Sequence, residues 1–340
     1  MNTDAPHANL KAWSKILNAY RNPRPVRSVF ELVVTLVPFT ACLALAWLAL
    51  HFHIWWGLVL VVPAAAFLLR LFMIQHDCGH GAFFGARHLD NWIGRLLGVF
   101  TLTPYDYWRQ THAEHHATTG NLDKRGVGDI ITLTVKEYQA LTAFNRFMYR
   151  LYRHPLVMFG FGPLWVFVLQ QRLPVGMMRA GMRPWVSAMA TNAAIGIAAA
   201  LVMWCVGVGS FLIVYLPVCL LAGAAGIWLF YVQHQFEATR WAPNAEWDFH
   251  AAALLGSSHY DLPPILKWVT GNIGIHHVHH LASRIPYYRL PEVLRDHPVL
   301  AKEGRITFMD SLRTVKLALW DEDRSRLISF HQAHRSAGAD

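Results

Sequence analysis

The sequence predicts an all-α membrane protein: four transmembrane helices in two hairpins, joined to a cytoplasmic helical cap. Three observations predict it. Of the 340 residues, 54% are hydrophobic and only 15% charged, whereas a soluble domain has a charged fraction nearer one quarter. Two stretches, Ser28 to Leu69 and Pro184 to Thr239, contain no Lys or Arg, and each has room for two apolar spans of about 20 residues. Histidines recur at helical spacing where those stretches end and in the segments that follow them.

Taken in order, the first 28 residues have no apolar core of the kind a cleaved signal needs. Leu10, Trp13, Ile16, Leu17 and Tyr20 fall on one helical face, which predicts an amphipathic helix in the membrane interface, with packing on the protein's own core as the alternative. The first hairpin covers about residues 29–75, its wet break marked by His51 and His53 with Trp55 and Trp56 beside them. The second covers about 185–233, breaking near Gly207 to Ser210. The cap is made of 76–184 and 234–330, and within it Pro155 to Leu169 is too short to span and reads as interfacial or re-entrant. All 30 basic residues lie in the N-terminus, in 70–183 and in 240–340. The positive-inside rule places these segments in the cytoplasm and both hairpin loops outside. No linker or low-complexity tract interrupts residues 1–340, so one domain is expected, with the last ten residues frayed.

The formal net charge of +9 fits attraction to anionic lipid headgroups and to an acidic protein partner. No basic stripe interleaved with aromatics points to nucleic acid. Cys42, Cys78, Cys205 and Cys219 show neither disulfide nor zinc-ribbon spacing and fit a reducing compartment.

The histidines carry the chemistry. With 20 His in 340 residues, about 0.07 chance matches to His-x-x-His-His are expected along the chain. Two occur, at His112, His115, His116 and at His276, His279, His280. Read as helices, both place their imidazoles within one 100° arc where they converge on a metal, with His277 outside it. His76 and His80 supply a further i, i+4 pair, which by itself also fits two polar residues at a helix end. Eight imidazoles in three patterned groups are costly to desolvate together unless a cation organises them. One tetrahedral zinc takes four ligands at most, so the number points to two metals.

His76-Asp-Cys-Gly-His80, His112-Ala-Glu-His-His116 and His276-His-Val-His-His280, in this order around paired hydrophobic hairpins, resemble the three histidine boxes of the integral-membrane fatty acid desaturases. The similarity is greatest to the acyl-lipid branch, including bacterial phospholipid desaturases. It extends to the run His116 to Asp129, to Tyr231-Val-Gln-His-Gln-Phe-Glu237 and to Gly271 through Leu281, covering roughly residues 30 to 295. The resemblance implies two iron ions held almost wholly by histidine, dioxygen as co-substrate, a membrane-lipid acyl chain as substrate, and electrons from a ferredoxin, flavodoxin or cytochrome-type donor. It implies the ligand set His76, His80, His112, His115, His116, His276, His279 and His280, with His234 matching an additional family histidine after the last span. Hydroxylases and acetylenases share these boxes and are the near alternatives.

An unactivated methylene has no acidic proton, so removing its hydrogens requires an oxidant that a metal supplies. Asp77, Glu114, Asp123, Asp129 and Asn272 are candidates to bond the outward ring nitrogens of the ligands, although Asp123 and Asp129 equally fit a Gly-rich turn. Lys124 and Arg125 are candidates to meet a phosphate headgroup or an acidic donor, against plain solvation in a loop. A histidine-rich metal transporter or zinc hydrolase is the alternative from another class. A transporter would carry ligands along its spans, but 30–69 holds only His51 and His53, and 185–233 holds none. The location expected is a bacterial cytoplasmic membrane, with the boxes on the cytoplasmic face.

Overall fold

The computed structural model describes residues 10–126 and 128–336. Four of its helices are long and apolar enough to cross a membrane: α2 (Pro25–His51), α3 (Val61–His80, preceded by a helical turn from Trp55), α8 (Met182–Val206) and α9 (Val208–His234). With 25 to 27 residues in each candidate span, they reach about 38–40 Å, more than a hydrocarbon layer of about 30 Å. Their outward faces are apolar: Val33 and Val37 on α2 and Ile197, Leu201 and Trp204 on α8 are all more than half exposed. Such a surface is inadmissible in water and suited to lipid.

The breaks fall where the sequence puts them. α2 ends at His51, and His53 takes a left-handed φ of +59°, reversing the chain so closely that a Cβ on Gly57 would lie 2.2 Å from that of Ala49. Gly207, at φ +82°, separates α8 from α9. α3 packs against α2 and α9 with Leu71 and Ile74 fully buried, and its last turn carries His76 and His80.

Around α3 lie α4 (Arg87–Phe100) and α5 (Tyr105–Thr118). Gly94 on α4 leaves a notch filled by the ring of Tyr105, whose hydroxyl donates to the Cys78 carbonyl at 2.8 Å. The remaining elements are short and joined by loops. α6 (Val135–Ala140), α7 (Ala143–Tyr152) and wide helical turns at Leu156–Phe161 and Leu164–Leu169 precede α8. α10 (Phe249–Leu255), α11 (Pro264–Val269), α12 (His276–Leu281), α13 (Leu290–Asp296), α14 (Phe308–Thr314) and α15 (Phe330–Ser336) follow α9.

Three expectations need correction. The segments expected to form a helical cap also contain strands: β1 (Leu133–Thr134) pairs in parallel with β4 (Leu317–Asp321), which pairs antiparallel with β5 (Arg326–Ser329), and β2 (His259–Asp261) pairs in parallel with β3 (Arg305–Thr307). Strands of two to five residues are too short to show alternation, and β1 with β4 and β2 with β3 pair across distant stretches of the chain. The N-terminal helix, α1 (Leu10–Ile16), turns its apolar face to the protein: Trp13 and Leu17 are buried, Trp13 meets His297 edge-on at 5.4 Å, and Tyr20 donates to Asp296 at 2.9 Å. Residues 1–9 of that expected helix lie outside the described residues. Of the last ten, 331–336 continue α15 with Ala333 buried beside Tyr138 and Tyr149, and 337–340 lie outside the described residues.

One buried cation ties these parts together. Arg153, 4% exposed, donates to the Ile131 and Leu317 carbonyls, to Thr132 Oγ1 and to Gln235 Oε1 at 2.9–3.1 Å. It thus joins α7, β4 and the residue following α9. Replacing a charged donor while leaving its acceptors buried costs about 1.5–3 kcal/mol. Arg153→Met is therefore expected to lower the thermal unfolding midpoint of the detergent-solubilised protein by several degrees, measured by intrinsic fluorescence.

Candidate metal centre

Four helix ends meet at one point. α3 delivers His76 and His80 in its last turn, α5 delivers His112, His115 and His116, α9 ends on His234, and α12 delivers His276, His279 and His280. The helix that carries the third triple is short, running from His276 to Leu281. Gly271 and Asn272 have φ of +56° and +53°, and a Cβ on Gly274 would lie 2.4 Å from the Tyr260 carbonyl oxygen. That glycine lets the turn press against β2, where Tyr260 N–H donates to the Gly274 carbonyl at 2.7 Å.

The nine imidazoles form two groups, His76, His80, His112, His116 and His279 in one and His115, His234, His276 and His280 in the other, with the ligand atoms of each group within 4.8 Å of one another. Each triple is thereby divided, whereas its spacing suggested convergence on one metal. The i, i+4 partners stay together and the i+3 residue goes to the other group, because positions i+3 and i+4 point 100° apart around a helix. The rings of His116 and His280 stack at 4.1 Å and 16° and bring the groups side by side.

The Nε2 atoms face inward. His112 Nε2 lies 3.1 Å from those of both His80 and His116, and His279 Nε2 is 3.2 Å from that of His116. His276 Nε2 lies 3.0 Å from those of both His234 and His280. A neutral imidazole has one N–H and one lone pair, so a single Nε2 does not satisfy two such neighbours by hydrogen bonding. A cation does: with metal–nitrogen bonds of about 2.0–2.1 Å, ligand atoms at right angles are about 3 Å apart. The buried Nδ1 atoms of His276 and His279 have no partner. Burial, and then repulsion from neighbouring imidazoles, holds His112, His116, His276, His279 and His280 well below the usual histidine range. They are neutral at physiological pH, the state that ligates a metal. The donor set fits metal ions.

Two of the expected outer partners meet the histidines. Asp77 Oδ1 lies 3.2 Å from His76 Nδ1, and Asp129 Oδ1 lies 2.5 Å from His115 Nδ1. The Gly256 carbonyl lies 3.3 Å from His234 Nδ1. The structure puts the other three candidates elsewhere. Glu114 is exposed on the far side of α5, Asp123 accepts from the Asn244 N–H at 2.7 Å and shapes a loop, and Asn272 occupies the left-handed turn and reaches the Tyr287 carbonyl at 3.4 Å. Lys124 is exposed, whereas Arg125 is engaged by the Thr132 carbonyl and Glu137. Sequence reading missed Trp108, which stacks on His112 at 4.6 Å and 14° and fits against Gly79. Its position one turn before His112 was the available signal.

Comparison with known proteins identifies the architecture. The fatty acid desaturase family model matches residues 53–311. A fatty acid desaturase of Bacillus subtilis (strain 168) is 42% identical over 320 residues, 94% of this chain and 90% of that protein. The chain belongs to the fatty acid desaturase family. It is a membrane oxidoreductase, and the two histidine groups are where its family's metal chemistry has residues to work with. An sn-1 oleoyl-lipid 12-desaturase of Synechocystis sp. is 26% identical over 280 residues, 82% of this chain and 74% of that protein. From the same organism, an sn-1 acyl-lipid omega-3 desaturase (ferredoxin) is 53% identical over 53 residues, 16% of this chain and 15% of that protein.

His277 separates position in the box from position in the site. It points away from both groups, its Nε2 lying 2.9 Å from the Leu300 carbonyl, and burial pushes it down to about 3. His279→Ala is expected to abolish double-bond formation and to lower the metal content. His277→Gln should lose no more than about 10–100-fold, the range for groups outside the ligand shell. Product analysis by gas chromatography with metal analysis of both variants checks the pair.

Proposed function

We propose that the nine histidines hold two iron ions, five residues around one and four around the other. In this reading the enzyme inserts a double bond into an acyl chain of a membrane lipid. The observation that carries it is the division of nine buried or half-buried imidazoles into two adjacent groups with their Nε2 atoms turned inward. Imidazole suits iron among the transition metals. When bound, the iron pair supplies, with dioxygen, the oxidising power that an unactivated C–H bond demands. Four electrons reduce dioxygen to two waters; two leave with the hydrogens of the substrate and two come from an external donor.

The chain's own residues have definable tasks. Asp77 and Asp129 accept the N–H of His76 and His115, fixing the tautomer so that Nε2 points inward. Trp108 holds the His112 ring by stacking. Burial keeps bulk water from the reacting carbons, and the apolar spans offer a surface that an acyl chain enters without desolvation cost. Lys124, exposed on the loop after the second box, is the available cation for an acidic donor of the ferredoxin, flavodoxin or cytochrome type, in keeping with the net charge of +9 and with the ferredoxin named for one relative. Arg125 instead holds its loop in place.

The four spans are proposed to form two hairpins, α2 with α3 and α8 with α9, in a bacterial cytoplasmic membrane. Residues 1–340 then act as one domain with the histidines on the cytoplasmic face. The absence of Lys and Arg from Ser28 to Leu69 and from Pro184 to Thr239, which hold both hairpin loops and most of the spans, supports this orientation.

Expression in a host of defined fatty acid content, followed by lipid mass spectrometry with double-bond localisation, is expected to show a new double bond in phospholipid acyl chains, absent without oxygen. A hydroxylated or triple-bonded product would move the assignment to another branch of the family. Topology has its own test in a variant lacking the native cysteines. His53→Cys and Gly209→Cys should react only with impermeant thiol reagent added outside, and Lys124→Cys only after the cells are opened.

A further inference from the structure

Within the candidate spans, Glu31 near the start of α2 and Arg70 midway along α3 are each 1% exposed. Arg70 donates to Glu31 and to the Trp268 carbonyl, and its Nε donates to Thr35 Oγ1 at 3.2 Å. The guanidinium lies 4.1 Å above the Trp268 ring and 5.3 Å from that of Tyr287. Glu31 also accepts from Arg27 Nε at 2.8 Å. A buried ion pair adds little net stability, because desolvation offsets the attraction. Ionisable groups inside a membrane span instead mark function.

The contacts continue to the histidines. Tyr287 Oη donates to Glu31 Oε2 at 3.1 Å, and the Tyr287 backbone N–H donates to Asp77 Oδ2 at 2.6 Å. The other oxygen of Asp77 faces His76 Nδ1 at 3.2 Å. Asp77 is 1% exposed, so its direction is set by that N–H and by His76. The four-histidine group is supported separately, by Asp129 and the Gly256 carbonyl.

The geometry points to Glu31, Arg70 and Tyr287 as positioning residues for the five-histidine metal site. They clamp the Tyr287 ring so that its backbone N–H holds Asp77, and Asp77 aims His76. The inference rests on reading that group as a metal site. It requires a selective effect, since loosening the clamp frees one ion and leaves the other.

The test follows iron release from the loaded, detergent-solubilised protein during dialysis against a chelator, by metal analysis, beside its thermal unfolding midpoint. Wild type is expected to release two ions slowly. In Glu31→Gln one ion should leave about 10-fold faster or more, the size of effect seen when support behind a ligand is removed, while the second leaves at the wild-type rate. Tyr287→Phe removes one hydroxyl and leaves no charge unpaired, so it is read even if Glu31→Gln does not fold; it should show the same selectivity at several-fold. Wild-type release in Tyr287→Phe, or equal acceleration of both ions in either variant, overturns the inference. His76→Ala tests the underlying reading separately: if it keeps both ions at wild-type rates, His76 is not a ligand and the metal-site assignment fails instead.

Discussion

Nine imidazoles brought together out of water are the constraint on which the rest of the structure depends. Each has a polar ring whose burial is unfavourable without a partner, and inward-facing Nε2 atoms at 3.0–3.2 Å satisfy one another only in part. The arrangement persists because helices converge from several directions and hold the rings from behind. Asp77, Asp129 and the Gly256 carbonyl take outward nitrogens, and Trp108 covers one face of His112. No single helix presents this set. α3 and α9 contribute the ends of apolar helices, α5 the middle of the assembly, and α12 a six-residue helix that only the compact turn at Gly271 to Ile275 can deliver.

The membrane and the site are parts of one arrangement. α3 is at once an apolar helix of the bundle and the carrier of His76 and His80, and α9 ends on His234. The histidine groups therefore lie where the apolar helices α3 and α9 end. The ion pair of Glu31 and Arg70 sits inside this junction and reaches the site through Tyr287 and Asp77. Arg153 plays a corresponding part outside the candidate spans, joining α7 and β4 to the segment after α9.

Much of this is legible in the chain itself. The four apolar helices follow from composition and from two stretches without Lys or Arg, since a bilayer excludes charge over a known length. The break at Gly207 follows from a residue that ends helices, and that at His51 to His53 from polar residues beside interfacial tryptophans. The metal-binding character of the histidines follows from their number and spacing, and the family from the three boxes. These are local properties, carried by patterns within one or two turns of helix.

What the tertiary structure decided is how distant segments share those local features. Spacing showed that His112, His115 and His116 lie on one face, but the division into five and four depends on which helix stands opposite, and so on the placement of α3, α9 and α12. Asp77 and Asp129 became partners of histidine while Glu114, Asp123 and Asn272 did not, although all five lie near a box, because hydrogen bonding selects by direction and the directions are set by packing. The pairing of β1 with β4 and of β2 with β3, and the burial of Trp13, likewise depend on chain brought from far away. The sequence by itself determined that there would be apolar helices and a metal-binding set of imidazoles. Only the fold decided which imidazoles meet, because periodicity describes one helix and a shared site is a relation among several.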